Sequence, residues 1–463
     1  MRRELALVSA GKKDLDRPLN ILFVSYAYPP TNEVGAMRVA RLCRYLPEQG
    51  IIPIVLTVDP QFYPRQDASV EAPRGIAVER TRVLRTPLDF YRRLSSNARS
   101  GSASPIVESQ PGPAVRFSFA RRQILALLQM PDSYWGWYFP AIRQAAEIIK
   151  NRKISAIISS GPPWTGHLIA RHLKRKFRVP WIADFRDPWM ANPWRSIEDL
   201  PAWRDRSDRW MESSCLRHAD AVTCVTEALK EDFLVRYPKL PKSRFAVVTN
   251  GVDGTLPSSS LPRARSSKVI CLHLGALYRP SLRRIDTFCQ ALVDLVRDGK
   301  LSSENFQVIF VGSESPASER IAQQIAPELI QNHCIEFRPR VTRRESEMLL
   351  ECADVLLIFQ GNHRISLPSK FFDYLGTGKP MLAIVERGAL SDMVEKTGSG
   401  TWVAPGDSKA IAEKILEILQ FPAKTAEEIR PILAQFHFRR LAGEFADLTR
   451  SVASSGDLAD RGQ

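Results

Sequence analysis

The chain has 463 residues, 44% of them hydrophobic and 25% charged, which excludes a disordered or fibrous protein and predicts about two globular domains. Its net charge of +15 biases it toward phosphate-bearing partners without choosing among nucleotides, nucleic acid and an anionic membrane. The seven cysteines, Cys43, Cys215, Cys224, Cys271, Cys289, Cys334 and Cys352, form no CxxC pair, so neither a disulfide framework nor a zinc knuckle is expected.

Residues 1–19 read as an N-terminal tail. Their apolar stretch, Leu5 to Ala10, is interrupted by Ser9 and followed by Lys12, Lys13 and Asp14, too short for a secretory h-region. No run approaches the roughly 18 to 20 apolar residues that span a bilayer. The expectation is a soluble cytoplasmic protein, at most peripheral on the inner face of the cell membrane. From residue 20, buried-strand runs alternate with helix-period segments, the pattern of a parallel sheet covered on both faces. Ile21 to Ser25 is the first strand; Ala36 to Gln49 is a helix with Met37, Ala40, Cys43 and Leu46 on one stripe; Ile52 to Val58 is the second strand. Further strands are predicted at Ile154 to Ser159, Pro180 to Asp184, Ala221 to Val225 and Phe245 to Thr249. This first domain, 20–253, ends at a Ser-, Pro- and Arg-rich linker, 254–267. Strands then recur at Val269 to Leu274, Gln307 to Val311, Cys334 to Phe337, Asp354 to Phe359 and Pro380 to Val385. They make 268–422 a second domain, followed by a C-terminal helix and tail over 423–463. The fold class is α/β, two doubly wound Rossmann-like halves, with ligands expected at the carboxyl ends of the strands in a cleft between them.

Tyr91 to Leu125 breaks the alternation, with six Arg against the single acid Glu108 among Ser, Gly and Pro. This basic insertion, 91–125, carries +5 and precedes Trp135, Trp137, Tyr138 and Phe139, which suits an anionic membrane surface. A solvated insertion beside ordinary buried rings explains the same composition.

No GxGxxG follows the first strand and no GxxxxGK[ST] occurs anywhere, so the usual signatures of dinucleotide oxidoreduction and P-loop phosphoryl transfer are missing. Tyr28-Pro29-Pro30 leads instead to Glu33-Val34-Gly35-Ala36-Met37-Arg38, where Gly35 lets backbone N–H groups approach a phosphate. Ser159 to His167 joins a strand to a helix and sets His167 at the strand's carboxyl end. The following strand ends in Asp184-Phe185-Arg186-Asp187-Pro188-Trp189, two carboxylates bracketing an Arg, suited to sugar hydroxyls or to a local ion pair that fixes the turn. Eight of the nine Trp lie between residues 135 and 210, and Trp164, Trp189 and Trp194, in predicted loops, are expected near a ligand. His167, Asp184 and Arg186 are the candidate catalytic group; Gly35, Arg38, Trp164 and Trp189 are the candidate acceptor and phosphate loop.

In the second half Leu274-Gly275 begins a turn that carries Arg279, Arg283 and Arg284, three guanidiniums that read as a diphosphate clamp. Pro368-Ser369-Lys370 opens a helix that Gly378 ends. Ser369 and Lys370 at its start suit an anion, Asp373 one turn on suits ribose hydroxyls, and the turn at Gly388 adds to the donor side. No carboxylate or His/Cys cluster has metal-ligand spacing, so neither a metal nor a cofactor is expected.

Together these residues resemble the GT-B glycosyltransferases of family 4 over about residues 20 to 420. The resemblance rests on Tyr28-Pro29-Pro30 with Gly35 and Arg38, Asp184 to Trp189, Thr249-Asn250-Gly251-Val252-Asp253, Leu274-Gly275, and Pro368-Ser369-Lys370 through Gly378-Lys379-Pro380. It implies an acceptor-binding N-terminal domain, a nucleotide-sugar-binding C-terminal domain, retention of anomeric configuration and no required metal. Carried over, Arg283 or Arg284 and Lys370 hold the donor diphosphate and Asp373 sits on the ribose. The family's two glutamates would fall at Ile365 and Asp373, so the first acid, which commonly contacts the transferred sugar, is missing. The shifted Pro-Ser-Lys element is similar to that of a branch of bacterial polysaccharide enzymes.

The expected function is transfer of a sugar from a nucleoside diphosphate sugar to a hydroxyl of a glycan or lipid-linked saccharide, in bacterial cell-surface polysaccharide synthesis. Fixed cations must then stabilise the leaving diphosphate. A nucleotide-sugar epimerase and a non-catalytic sugar-nucleotide-binding subunit are the alternatives, since fold does not decide function. Nucleic acid is not an expected partner, because no recognition motif is present.

Overall fold

Apolar runs without polar alternation fold as strands buried on both faces of a sheet, and two such sheets organise the chain. The computed structural model describes residues 18–96, 119–192, 201–254, 268–275, 277, 283–312 and 316–460. The first sheet contains β1 (Leu19–Val24), β2 (Ile51–Val58), β3 (Ala77–Thr81), β4 (Ala156–Gly161), β5 (Trp181–Phe185), β6 (Ala221–Cys224) and β7 (Phe245–Val247). Its order is β3-β2-β1-β4-β5-β6-β7, with every neighbouring pair parallel. The second contains β8 (Val269–Leu274), β9 (Phe306–Val311), β10 (Ile335–Arg338), β11 (Val355–Gly361), β12 (Met381–Val385) and β13 (Gly400–Val403). Its order is β10-β9-β8-β11-β12-β13, again parallel throughout. Each order reverses once, between β1 and β4 and between β8 and β11, and a reversal opens a crevice where the connecting loops diverge.

Sequence patterning finds the central strands and misses β3 and β13. Both are edge strands of mixed burial, so neither has the continuous apolar run by which a central strand is read. The ends of the basic insertion 91–125 are helical, Pro87–Ser96 and Phe119–Leu128. Residues 97–118, with Arg99 and Arg116, lie outside the described residues.

The chain divides into one unit that runs to Thr249 and resumes at Phe438, and a second from Asn250 to His437. The last helix, Phe438–Asp460, thus returns to the first unit, a crossing absent from the sequence reading of 423–463 as a helix and tail. The return has a packing cause. Phe438, Leu441, Ala442, Phe445 and Ala446 recur at helical spacing and share one buried cluster with Val39, Leu42 and Cys43 of the helix Val34–Tyr45. Among the described residues no helix is long and apolar enough to cross a membrane.

Candidate functional site

In the first unit, β1 leads into the helix Val34–Tyr45 and β4 into the helix Thr165–Phe177, so both helices start beside the reversal of strand order. Arg38, in the first helix, is 1% exposed and reaches the fully buried Asp184 on β5. Its Nε and Nη2 donate to the two carboxylate oxygens at 3.1 and 2.9 Å, and Nη1 and Nη2 donate to the carbonyls of Thr249 and Val248, each at 2.8 Å. The hydroxyls of Ser160 on β4 and Thr223 on β6 donate to the same carboxylate, each at 2.7 Å. Burial works to raise the Asp184 pKa, but the Arg38 charge and these donors outweigh it and hold it below the usual carboxylate range. The carboxylate's acceptor sites are filled from within the protein. Asp184 and Arg38 therefore tie strand ends together, which corrects the expectation of a catalytic carboxylate and a phosphate-binding arginine.

His167 is also fully buried. Its Nδ1 lies 2.7 Å from Ser159 Oγ, which accepts from Trp181 Nε1 at 2.8 Å. The rings of Trp164, Trp181 and Phe185 surround it, and burial drives its pKa down to about 3. The imidazole is neutral and enclosed at the strand end, with Nε2 buried without a partner beside Gly161, in place of the open position expected of a catalytic His167. Trp164 and Trp189 stack on each other at 4.9 Å with 5° between planes and are 7% and 2% exposed. Their indoles are covered, which corrects their expected use as sugar platforms. Trp194 lies outside the described residues.

What the first crevice retains is Arg186. Its amide donates to Gly161 O at 2.9 Å, and its guanidinium donates to Pro162 O and packs on Gly35, where a Cβ would collide with it. Glycine at position 35 thus makes room for an arginine side chain. The Arg186 Nε is buried without a partner. Burial raises the Asp187 carboxyl to about 6, with Arg186 opposing, and burial raises Glu33 against the same guanidinium. The titratable acid at this strand end is therefore Asp187, and Glu33 is an addition that no motif announced.

In the second unit Gly275 follows β8 with φ of 107°, a value that favours glycine. Its amide donates to Val311 O at 2.8 Å, and Lys370 Nζ donates to Leu274 O at 2.7 Å. A Cβ on Gly275 would stand 2.9 Å from the Lys370 ammonium, and one on Gly312 would stand 3.3 Å from Gly275 Cα. Two glycines thus clear the space beside the amine. Arg283 Nη1 donates to Phe359 O on β11 at 2.7 Å. Burial first, and then the charge of Arg283, push Lys370 down to about 7, with Asp373 opposing. Two cations brought together at a strand-order reversal repel each other, and a bound anion would relieve both.

The other expected donor residues divide. Arg284 is paired with Asp286 at 3.0 Å, so of the three-guanidinium clamp only Arg283 is placed beside Lys370; Arg279 lies outside the described residues. The helix Lys370–Leu375 has six residues, Ser369 makes no side-chain cap, and Asp373 is exposed. Gly388 is required by the carbonyl of Arg364, which a Cβ would strike. Its amide donates to Ser391 Oγ at 2.8 Å and that of Ala389 to Arg364 O at 2.7 Å, so these two N–H groups are used within the chain and are not the expected anion donors.

Two buried polar residues at the second reversal escaped the sequence reading. His273 on β8 sets Nδ1 2.9 Å from Leu357 O. Gln360, 6% exposed, donates Nε2 to His363 O at 3.1 Å and Ser366 O at 2.5 Å, anchoring the loop that leads to Lys370. The available signal was a polar residue inside an apolar strand run.

The chain is similar to known proteins. Residues 35–251 match the family model described as glycosyl transferase 4-like domain, and residues 268–420 match glycosyl transferases group 1. The chain is 26% identical over 183 residues to alpha-maltose-1-phosphate synthase of Mycolicibacterium smegmatis, covering 39% of this chain and 46% of that protein. It is 26% identical over 145 residues to the probable glycosyltransferase WbjE of Pseudomonas aeruginosa, covering 30% and 36%. The matched segments therefore span less than half of either relative. Among solved structures, Anabaena HepE in complex with UDP and glucose superposes with a TM-score of 0.58 at 13% identity, covering 94% of this chain and 99% of that one.

Proposed function

Because the chain belongs to the GT-B glycosyltransferases of family 4, we propose that it moves a sugar from a nucleoside diphosphate sugar to a hydroxyl of a glycan or lipid-linked saccharide. Its similarity to the probable glycosyltransferase WbjE supports glycosyl transfer, and the fold it shares with HepE, solved with UDP and glucose, supports a nucleotide-sugar donor. The observation that carries the reading is the pair Lys370 and Arg283 beside Gly275 at the β8/β11 reversal. Departure of a nucleoside diphosphate builds negative charge on the leaving phosphate, and a fixed cation pair stabilises that charge where it develops. At the β1/β4 reversal, Arg186 and Asp187 take over the role first assigned to Asp184 and His167, facing the acceptor or the sugar. Calorimetric titration with UDP and GDP tests the reading. Binding of one of them, weakened in Lys370→Ala, is expected; no binding of either overturns it.

Retention of anomeric configuration is what the family resemblance implies, and transfer is further expected to need no metal, because the two cations occupy the electrostatic role a divalent ion would otherwise fill. Turnover in excess EDTA should equal turnover without it. Loss of activity restored by manganese would show that the cation pair is insufficient.

A further inference from the structure

The helix Thr165–Phe177 turns a basic stripe away from its core. Ile169, Ala170 and Leu173 are buried, which leaves Arg171, His172, Arg175 and Lys176 on its outer side. With Tyr138 of the helix Tyr138–Asn151 they line a cavity of about 450 Å³. Tyr138 Oη and His172 Nδ1 stand 3.4 Å apart in its wall. Arg171 is fixed by Ser214 and lies over the Trp210 ring, 5.4 Å from its centroid. Lys174, in the same stretch, is neutralised by Asp220 at 2.5 Å. Arg171, Arg175 and Lys176 have no such carboxylate partner among the described residues. Like charges one turn apart destabilise a helix, and an anion in the cavity removes that cost.

Two exposed aromatic rings adjoin the cavity's lining residues Tyr138 and Arg171. Phe139, edge-on to Tyr138 at 5.3 Å, is 64% exposed, and Trp210 is 59% exposed. Aromatic rings beside uncompensated cations match the interface of an anionic bilayer, where rings sit at headgroup depth and Lys or Arg meets phosphate. A freely dissolved phosphate would use the cations and leave the rings without a role.

We propose that this cavity receives the phosphate headgroup of an anionic bilayer lipid while Phe139 and Trp210 enter the interface. Its charges come from the helix Thr165–Phe177 rather than from residues 91–125, and the sequence of that helix carries no membrane motif. It adds a membrane contact to the glycosyl-transfer reading and does not depend on that reading, because its test measures binding rather than turnover.

Full-length protein is sedimented with vesicles of phosphatidylcholine alone and of phosphatidylcholine with phosphatidylglycerol. Retention is expected only with the anionic lipid, and high salt should release the protein by screening the attraction. Arg175→Gln with Lys176→Gln removes two cations, each worth about fivefold in partitioning, so a roughly 30-fold fall is expected. Phe139→Ser should weaken retention while leaving its salt dependence in place. Titration of the double variant with UDP should match wild type, which separates failure of docking from failure of the donor reading. Absence of retention on anionic vesicles overturns the proposal, as does equal partitioning of wild type and the double variant. Calorimetric binding of inorganic phosphate without vesicle retention also overturns it and makes the cavity a site for soluble phosphate.

Discussion

Arg38→Met is expected to cost roughly 3 to 5 kcal/mol of stability, because it leaves a buried carboxylate without its counter-ion. Asp184 is fully buried and Arg38 is 1% exposed, so water cannot replace the lost partner. The carbonyls of Val248 and Thr249 lose their donors as well. Urea unfolding of the wild type, Arg38→Met and the double variant Arg38→Met, Asp184→Leu gives the measurement. The double variant should recover part of the loss, since two apolar groups remove the uncompensated charge while Ser160 and Thr223 still lose an acceptor. The pH dependence has a definite sign. The folded Asp184 pKa is depressed, so its contribution is present above the unfolded carboxylate pKa of about 3.9 and is lost as pH falls through the folded value. In Arg38→Met, burial without the guanidinium favours the neutral acid, and acid sensitivity should move to higher pH. A loss below about 1 kcal/mol, the range of exposed pairs, would refute the role given to this pair.

Lys370→Ala is expected to lower kcat/KM roughly a hundredfold, the effect of removing one fixed donor from a developing oxyanion, with no matching loss of stability. Removing a partly buried cation that sits beside Arg283 relieves repulsion in the free protein, so the melting temperature should hold or rise. Lys370 is lowered from 10.5 to about 7. Between those values the unfolded chain binds a proton that the fold rejects, so this residue makes the fold more stable as pH rises from about 7 to 10.5. Nucleoside diphosphate affinity should run the opposite way. Binding requires the ammonium, so affinity should fall above pH about 7 by up to tenfold per unit, with proton uptake visible as a buffer-dependent heat. The Ala variant should lose that slope. Wild-type affinity that stays level between about pH 6 and 9 would remove Lys370 from the phosphate site.

The amino-acid sequence by itself determined the doubly wound architecture, because central parallel strands need uninterrupted apolar runs and their helices need an apolar stripe, and both are local patterns. It also placed Gly35 and Gly275 at the turns that follow β1 and β8. The chemical fate of each polar residue was decided only by tertiary structure. Asp184 and Asp187 are three positions apart and look alike in sequence, yet Arg38, Ser160 and Thr223 converge on the first from other elements, while burial raises the second to about 6. Arg283 and Arg284 are adjacent, yet one reaches Phe359 O and the other is taken by Asp286. Trp164 and Trp189 sit in loops, yet each covers the other's ring. The return of the last helix to the first unit likewise depends on a complementary buried face some four hundred residues earlier in the chain. Periodicity records which side of an element is buried; it does not record which partner occupies that side, and charge, protonation and access to a ligand all follow from the partner.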